Sequence, residues 1–141
     1  MIHSRTWSEV DPATAYALLR LRVDVFVVEQ ECPYPELDGR DLEPTALHIW
    51  SERDGEVEGY LRILCDGGTL RRIGRVCVAA AARSGGVAGA LMRHALEVTG
   101  DAPIVLDAQT PLAHFYAALG FSVAGPEFFE DGIAHVPMRR G

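Results

Sequence analysis

One stretch constrains this chain more than any other: Arg75-Val76-Cys77-Val78, then Ala79 to Ser84, then Gly85-Gly86-Val87-Ala88-Gly89-Ala90-Leu91. A Val-rich strand leads into a glycine-rich turn, and a helix starts inside that turn. Glycine lets a backbone approach a ligand with no Cβ in the way. The first N–H groups of a helix have no intrahelical partner and point outward, and the helix dipole adds positive potential there. Such a strand–turn–helix is either a site for an anion such as pyrophosphate or a plain connection whose glycines serve close packing. Arg83 at its mouth would add a charge-assisted contact. A nucleotide P-loop, GxxxxGK[ST], is excluded because the stretch has no Lys. A dinucleotide fingerprint fits poorly, because the spacing is GGxxG and the stretch lies in mid-chain after hairpins.

The rest of the chain supplies a mixed set of elements. Asp11-Pro12 reads as an N-cap followed by a proline at the first helical position. Tyr16, Leu19, Val23 and Phe26 then recur at spacings of three and four, which predicts one apolar stripe on a helix over 12–27. Pro33 and Pro35 forbid a regular helix over Glu29 to Glu36. Asp54-Gly55 between 47–51 and 57–64 is a hairpin signal, and Asp66-Gly67-Gly68 turns into a strand over 72–78. The spacing predicts a second helix over 87–99, with Val87, Leu91 and Val98 as its apolar edge and Gly100 as its cap. Ile104-Val105-Leu106 reads as a short buried strand. A third helix is expected over 111–119, closed by Gly120, and 122–124 with 133–138 are expected to flank Asp131-Gly132 as a last hairpin. With a short early strand, the order is β, α, ββ, β, α, β, α, ββ. That order implies an α/β or α+β fold with one central sheet.

Size and composition fit a single domain over 1–141. A folded chain of this mass exposes about 7,000 Å² against about 22,000 Å² unfolded, so no staple is required. With 48% hydrophobic and 23% charged residues the chain is globular rather than disordered. Lys+Arg 13 against Asp+Glu 20 gives a net charge of -7. This balance argues against a nucleic-acid partner and against docking on an anionic membrane. Met1 to Trp7 contains no apolar run, so no signal peptide is expected. Cys32, Cys65 and Cys77 are odd in number and widely spaced, the pattern of reduced thiols in a cytoplasmic protein. His3, His48, His94, His114 and His135 are scattered, and no metal site is expected.

Arg83, Gly86 and Ala88 match the pattern [R/Q]xxGx[G/A]. The later segment Gln109 to Phe121 ends in Phe115-Tyr116-Ala117-Ala118-Leu119-Gly120-Phe121. Together these resemble the coenzyme A loop and the late helix of the GNAT superfamily of N-acetyltransferases. Val25-Phe26-Val27-Val28-Glu29-Gln30-Glu31-Cys32-Pro33-Tyr34, with Asp38-Gly39-Arg40-Asp41 and Ala108-Gln109, resembles the ElaA-type branch, and the match runs over nearly the whole chain. The family's usual Asn, seven residues before the Tyr, is here Gln109.

The resemblance implies a mixed, mostly antiparallel central sheet with helices on both faces. Its fourth and fifth strands, about 73–78 and 104–107, would splay apart to admit the pantetheine arm. Backbone groups of Cys77 and Val78 would bond that arm as an added strand. Arg83, Ser84, Gly85, Gly86, Val87, Ala88 and Gly89 would hold the pyrophosphate, with Gln109 and Tyr116 also on the donor side. The implied reaction is direct acetyl transfer from acetyl-CoA to an amine in a ternary complex. Tyr116 occupies the family's general-acid position, and the N–H of Cys77 or Val78 is the candidate oxyanion donor. Glu29, Asp107 and His135 are candidate bases, and ordered waters are a further route for the proton. Direct attack by the amine is the rule in this family, which argues against a covalent role for Cys77. A non-catalytic acetyl-CoA-binding module on the same fold is the alternative, and exposed edges of the last hairpin offer a homodimer contact.

Charge is unevenly distributed along the sequence. Asp24, Glu29, Glu31, Glu36, Asp38, Asp41 and Glu43 stand against Arg40 alone in 24–43, while 71–96 holds Arg71, Arg72, Arg75, Arg83 and Arg93 and no acid. Either these are two solvated faces, or the acidic segment attracts a cationic amine and the basic one receives phosphates.

Overall fold

Asp11 starts the first helix as its sequence suggests, with Oδ1 accepting the Thr14 N–H at 2.8 Å and Pro12 in the first helical turn. The computed structural model describes residues 1–141. In it β1 (Ile2–Thr6) is followed by α1 (Pro12–Val23), which continues as a wider π-helical turn over Asp24–Glu29. Then come β2 (Leu47–Arg53), β3 (Glu56–Cys65), β4 (Arg71–Val78), α2 (Val87–Thr99), β5 (Ile104–Gln109) and α3 (Ala113–Ala117). The chain ends with β6 (Ser122–Val123), β7 (Phe128–Glu130) and β8 (Ile133–Arg140). Its exposed area, 7630 Å², is close to that expected for its mass.

All eight strands form one sheet in the order β1-β2-β3-β4-β5-β8-β6, with β7 also paired to β8. Every pair is antiparallel except β4 with β5. That parallel contact is only Arg71↔Ile104 and Arg72↔Val105, after which the two strands separate. The cause is local. Between the pairs Arg62↔Gly74 and Tyr60↔Cys77 the register slips, and Arg75 in the slipped segment is left-handed at φ +56°. A bulge bends the strand that carries it, so β4 turns away from β5. This is the splay expected between the fourth and fifth strands.

The core has two parts, one on each face of the sheet. Val87, Leu91, Met92 and Ala95 of α2 pack with Ile49, Leu61, Ile63, Ile73, Leu106, Ala108, Val136 and Met138. Leu18, Leu21 and Val25 pack on the other face with Trp50, Tyr60 and Cys77. Gly59 makes the α2 packing possible. A Cβ there would stand 2.6 Å from Val87 Cγ1 and 2.9 Å from Leu91 Cδ1.

Several expectations need correction. The predicted helix over 12–27 is α-helical only to Val23, and its buried face is Leu18, Leu21, Arg22 and Val25, with Tyr16 exposed. A hydrophobic stripe read by type alone misses a face that buries an arginine. The second helix has the expected bounds, but Met92 and Ala95 are buried while Val98 is exposed. The third helix is a 3₁₀ turn over Thr110–Leu112 followed by the short α3. The last turn, Asp131-Gly132, joins β7 to β8, and Ser122–Val123 pairs farther along β8.

Candidate active site

The separation of β4 from β5 leaves a cleft of about 730 Å³. The edge of β4 from Ile73 to Val78 forms one wall, and Leu106, Asp107 and Gln109 of β5 form the other. Phe26, Glu29, Gln30, Cys32 and Tyr34 lie across it, and Tyr116 and His135 reach it from α3 and β8. A smaller hollow of about 190 Å³ lies at the start of α2, lined by Ser84, Gly86, Val87 and Gly89. Val78, Arg83, Ala88 and Phe115 line both spaces, so they adjoin.

That second hollow is built from the glycine-rich turn. Gly86 takes the N-cap position at φ +78°, and Ser84 is also left-handed at +69°. No side chain caps the helix, and the first intrahelical bond is that from the Ala90 N–H to the Gly86 oxygen. The N–H groups of Val87, Ala88 and Gly89 are therefore free to meet an anion. Arg83 does not point into this hollow as a free cation. Its Nη1 and Nη2 donate to the Glu29 carboxylate at 2.6 and 2.7 Å, and its Nε donates to the Val78 oxygen at 3.1 Å. The hydrogen bond from Arg83, and its charge, hold the Glu29 carboxyl below its ordinary range.

The open edge of β4 presents Val78 rather than Cys77. The Ala79 N–H donates to the Glu58 oxygen across to β3. Strand alternation then points the backbone groups of Val78 the other way, into the cleft, and those of Cys77 toward β3. The expectation of a Cys77 backbone oxyanion donor is corrected on this ground: the amide at the edge is that of Val78. The Cys77 side chain is buried against α1, and burial pushes its thiol up to about 12.

Tyr116 is buried, edge-to-face with Phe115 at 5.0 Å and Phe121 at 6.2 Å, and lines the cleft. Burial pushes its phenol up to about 12, so it is a proton donor at neutral pH and not an acceptor. Alternation places the other groups. Leu106, Ala108, Val136 and Met138 face α2, so Asp107, Gln109 and His135 face the α1 side. There Gln109 forms a reciprocal amide pair with Gln30, at 3.2 and 3.4 Å. Asp107 accepts from Arg72 Nη1 at 3.2 Å. His135 Nδ1 lies 2.8 Å from the Ile133 oxygen.

The acidic segment is not an open cation trap. Arg22, fully buried, donates Nε to Glu36 and Nη1 to Asp41, both at 2.7 Å. Arg62 bonds Asp38 at 2.5 Å and Asp41 at 3.1 Å, and Arg75 Nε donates to Glu36 at 2.9 Å. Tyr34 also donates to Glu36. Arg40 pairs Glu43, Arg83 pairs Glu29 and Arg20 pairs Asp24. Of the seven acids in the segment, Glu31 alone has no side-chain partner. Pairs between residues far apart in the chain cancel the asymmetry seen along it. The sequence reading missed Gln30, Tyr34 and Arg75 as cleft residues. For Gln30 and Tyr34 the signal was their place in the conspicuous run 25–34; for Arg75 it was its place in the strand expected to splay.

The family model for the acetyltransferase (GNAT) domain matches residues 20–140. A UPF0039 protein of Mycobacterium bovis is 49% identical, covering 96% of this chain and 90% of its own. The crystal structure of Escherichia coli ElaA superposes with a TM-score of 0.94 at 39% identity, over 100% of this chain and 99% of its own. An acyl-CoA N-acyltransferase from Pseudomonas aeruginosa gives 0.94 at 38%, with the same coverage. The splayed sheet, the uncapped helix start and the sequence match agree: this chain belongs to the GNAT acetyltransferase family and is an acyltransferase.

Proposed function

We propose that the protein is an N-acetyltransferase that moves an acetyl group from acetyl-CoA directly to a primary amine. One observation carries this reading: the cleft opened between β4 and β5 is continuous with the free N–H groups at the start of α2. A long donor with a diphosphate at one end and a thioester at the other fits that path. Val87, Ala88 and Gly89, in the turn formed by Ser84, Gly85 and Gly86, hold the diphosphate by their N–H groups, with Arg83 as the mobile counter-charge. The edge groups of Val78 bond the pantetheine arm as an added strand, and the Val78 N–H is the donor for the developing oxyanion. Tyr116 protonates the departing thiolate. The name of the Pseudomonas aeruginosa relative, an acyl-CoA N-acyltransferase, supports an acyl-CoA donor.

The test is calorimetric titration with acetyl-CoA, then a thiol-release assay over a panel of amines. Binding followed by amine-dependent thiol release is the expected result. Binding with no release by any amine would favour a non-catalytic acetyl-CoA-binding module, and no binding would sink both readings.

A further inference from the structure

We propose that His135 is the general base that takes the proton from the acceptor amine, an inference that rests on the transfer reading above. Of the three candidate bases in the sequence, Glu29, Asp107 and His135, all of which line the cleft, two are committed. Both oxygens of Glu29 accept from Arg83, at 2.6 and 2.7 Å. Asp107 accepts from Arg72 at 3.2 Å. The histidine is different. Its Nδ1 faces the Ile133 carbonyl oxygen at 2.8 Å, and a carbonyl only accepts, so Nδ1 carries the hydrogen. In the neutral ring Nε2 then carries the free lone pair. Nε2 has no protein partner and is not among the buried polar atoms left without one, so it is open to the cleft that the ring lines. Phe128 stacks on the ring at 5.7 Å and 20°, fixing its plane.

Position supports the assignment. His135 is opposite Gln109 in the β5–β8 ladder and faces the α1 side of the sheet. Tyr116 packs in the cluster on the α2 side. The gap between β4 and β5 is the passage between those sides. An amine arriving from the α1 side meets the base as it meets the thioester, while the sulfur leaves toward the acid on the other side.

The ammonium gives one proton to His135 Nε2, and the freed lone pair forms the N–C bond at the thioester carbonyl. Collapse breaks the C–S bond, and the sulfur takes the Tyr116 proton. The second proton shed by nitrogen restores Tyr116 through water, and His135 releases its own to solvent. Ammonium and thioester become amide, thiol and one proton.

The experiment compares benzylamine, protonated at neutral pH, with hydroxylamine, unprotonated there and in no need of a base. His135→Asn keeps an N–H for the Ile133 oxygen but has no group at Nε2; His135→Gln is the second variant. Acetyl-CoA affinity is measured for each. The expected result is a fall of roughly 100-fold or more in kcat/KM for benzylamine. Hydroxylamine should stay within a few-fold of wild type, and acetyl-CoA should bind as before. Retention of benzylamine turnover in either variant that binds acetyl-CoA, or an equal fall for both amines, overturns the assignment. If one variant misfolds, the benzylamine-to-hydroxylamine ratio of the other decides. If wild type uses neither, the protonated amine it turns over fastest in the panel above replaces benzylamine; a wild-type protein that binds acetyl-CoA and acetylates no amine overturns the transfer reading instead, and the base falls with it.

Discussion

Glu29 grips Arg83 through both terminal guanidinium nitrogens, and the third, Nε, caps the Val78 oxygen. A single arginine thus occupies the two places that the proposed coenzyme site would use: the loop's own counter-charge and the carbonyl at the open strand edge. Both side chains are more than a third exposed, so the ion pair itself adds little to stability. Its consequence is for binding.

Arg83→Gln should therefore weaken acetyl-CoA binding by about tenfold, the worth of one charge-assisted contact. Glu29→Gln should leave that affinity equal or several-fold tighter, because Arg83 is released. Titration calorimetry of the two single variants and the double variant measures the coupling. A Glu29→Gln protein that binds more weakly would contradict this account.

Tyr116→Phe should lower kcat by about 100-fold with little change in the KM for acetyl-CoA, since it removes a proton donor and no volume of consequence. The raised phenol, about 12, keeps its proton through the alkaline range. Loss of rate above pH 9 should therefore not be traceable to Tyr116. A pH–rate profile to pH 10 checks this.

Arg22 is fully buried between Glu36 and Asp41. Arg22→Leu removes the buried charge that Glu36 and Asp41 share, leaving Arg75 and Tyr34 on the first and Arg62 on the second, and should destabilise the fold by about 3–5 kcal/mol, read as a shift in the urea midpoint. The same cluster sets an acid limit. Burial alone would raise Asp38 and Asp41, but the hydrogen bonds and charges of Arg62 on the first and Arg22 on the second outweigh it and hold both below their usual range. Groups depressed in the folded state stabilise it fully above the unfolded carboxylate value, near pH 4. That stabilisation is lost as pH falls through the lower folded values. Stability should be flat from about pH 5 to 7 on this account and fall below about pH 4, as urea midpoints across pH would show.

Gly59→Ala would put a methyl 2.6 Å from Val87 Cγ1. The helix must lift from the sheet, costing about 1–3 kcal/mol. Because Val87 is the first residue of α2, the shift also moves the anion-facing N–H groups. Thermal unfolding and acetyl-CoA titration should change together, whereas Gly55→Ala, in an open turn, should leave acetyl-CoA binding as it is.

The elements could be read locally where the signal was local. Asp11-Pro12, Asp54-Gly55 and Gly100 fix backbone conformation by their own chemistry, and α2 begins and ends where they and the glycine turn say. The buried side of α1 was not legible, because Arg22 reads as a surface residue until Glu36 and Asp41 are seen to enclose it. The cleft residues divided in the same way. Tyr116 and the 83–89 loop could be found from a contiguous motif, while the Gln30–Gln109 pair and the free nitrogen of His135 could not.

By itself the sequence determined the order of elements, the strand–turn–helix that leaves N–H groups free, and the family motifs carrying them. These depend on residues within a few positions of one another, where backbone preference and capping act. Tertiary structure alone decided which charges are spent. Net charge of -7 and its lopsided distribution along the chain say nothing of pairing, because an ion pair forms at a few ångströms in space between residues far apart in sequence. Arg83 on Glu29, and Arg22, Arg62 and Arg75 on Glu36, Asp38 and Asp41, neutralise the segment that looked like a trap for an amine. What remains open in the cleft is the N–H of Val78, the phenol of Tyr116 and one nitrogen of His135.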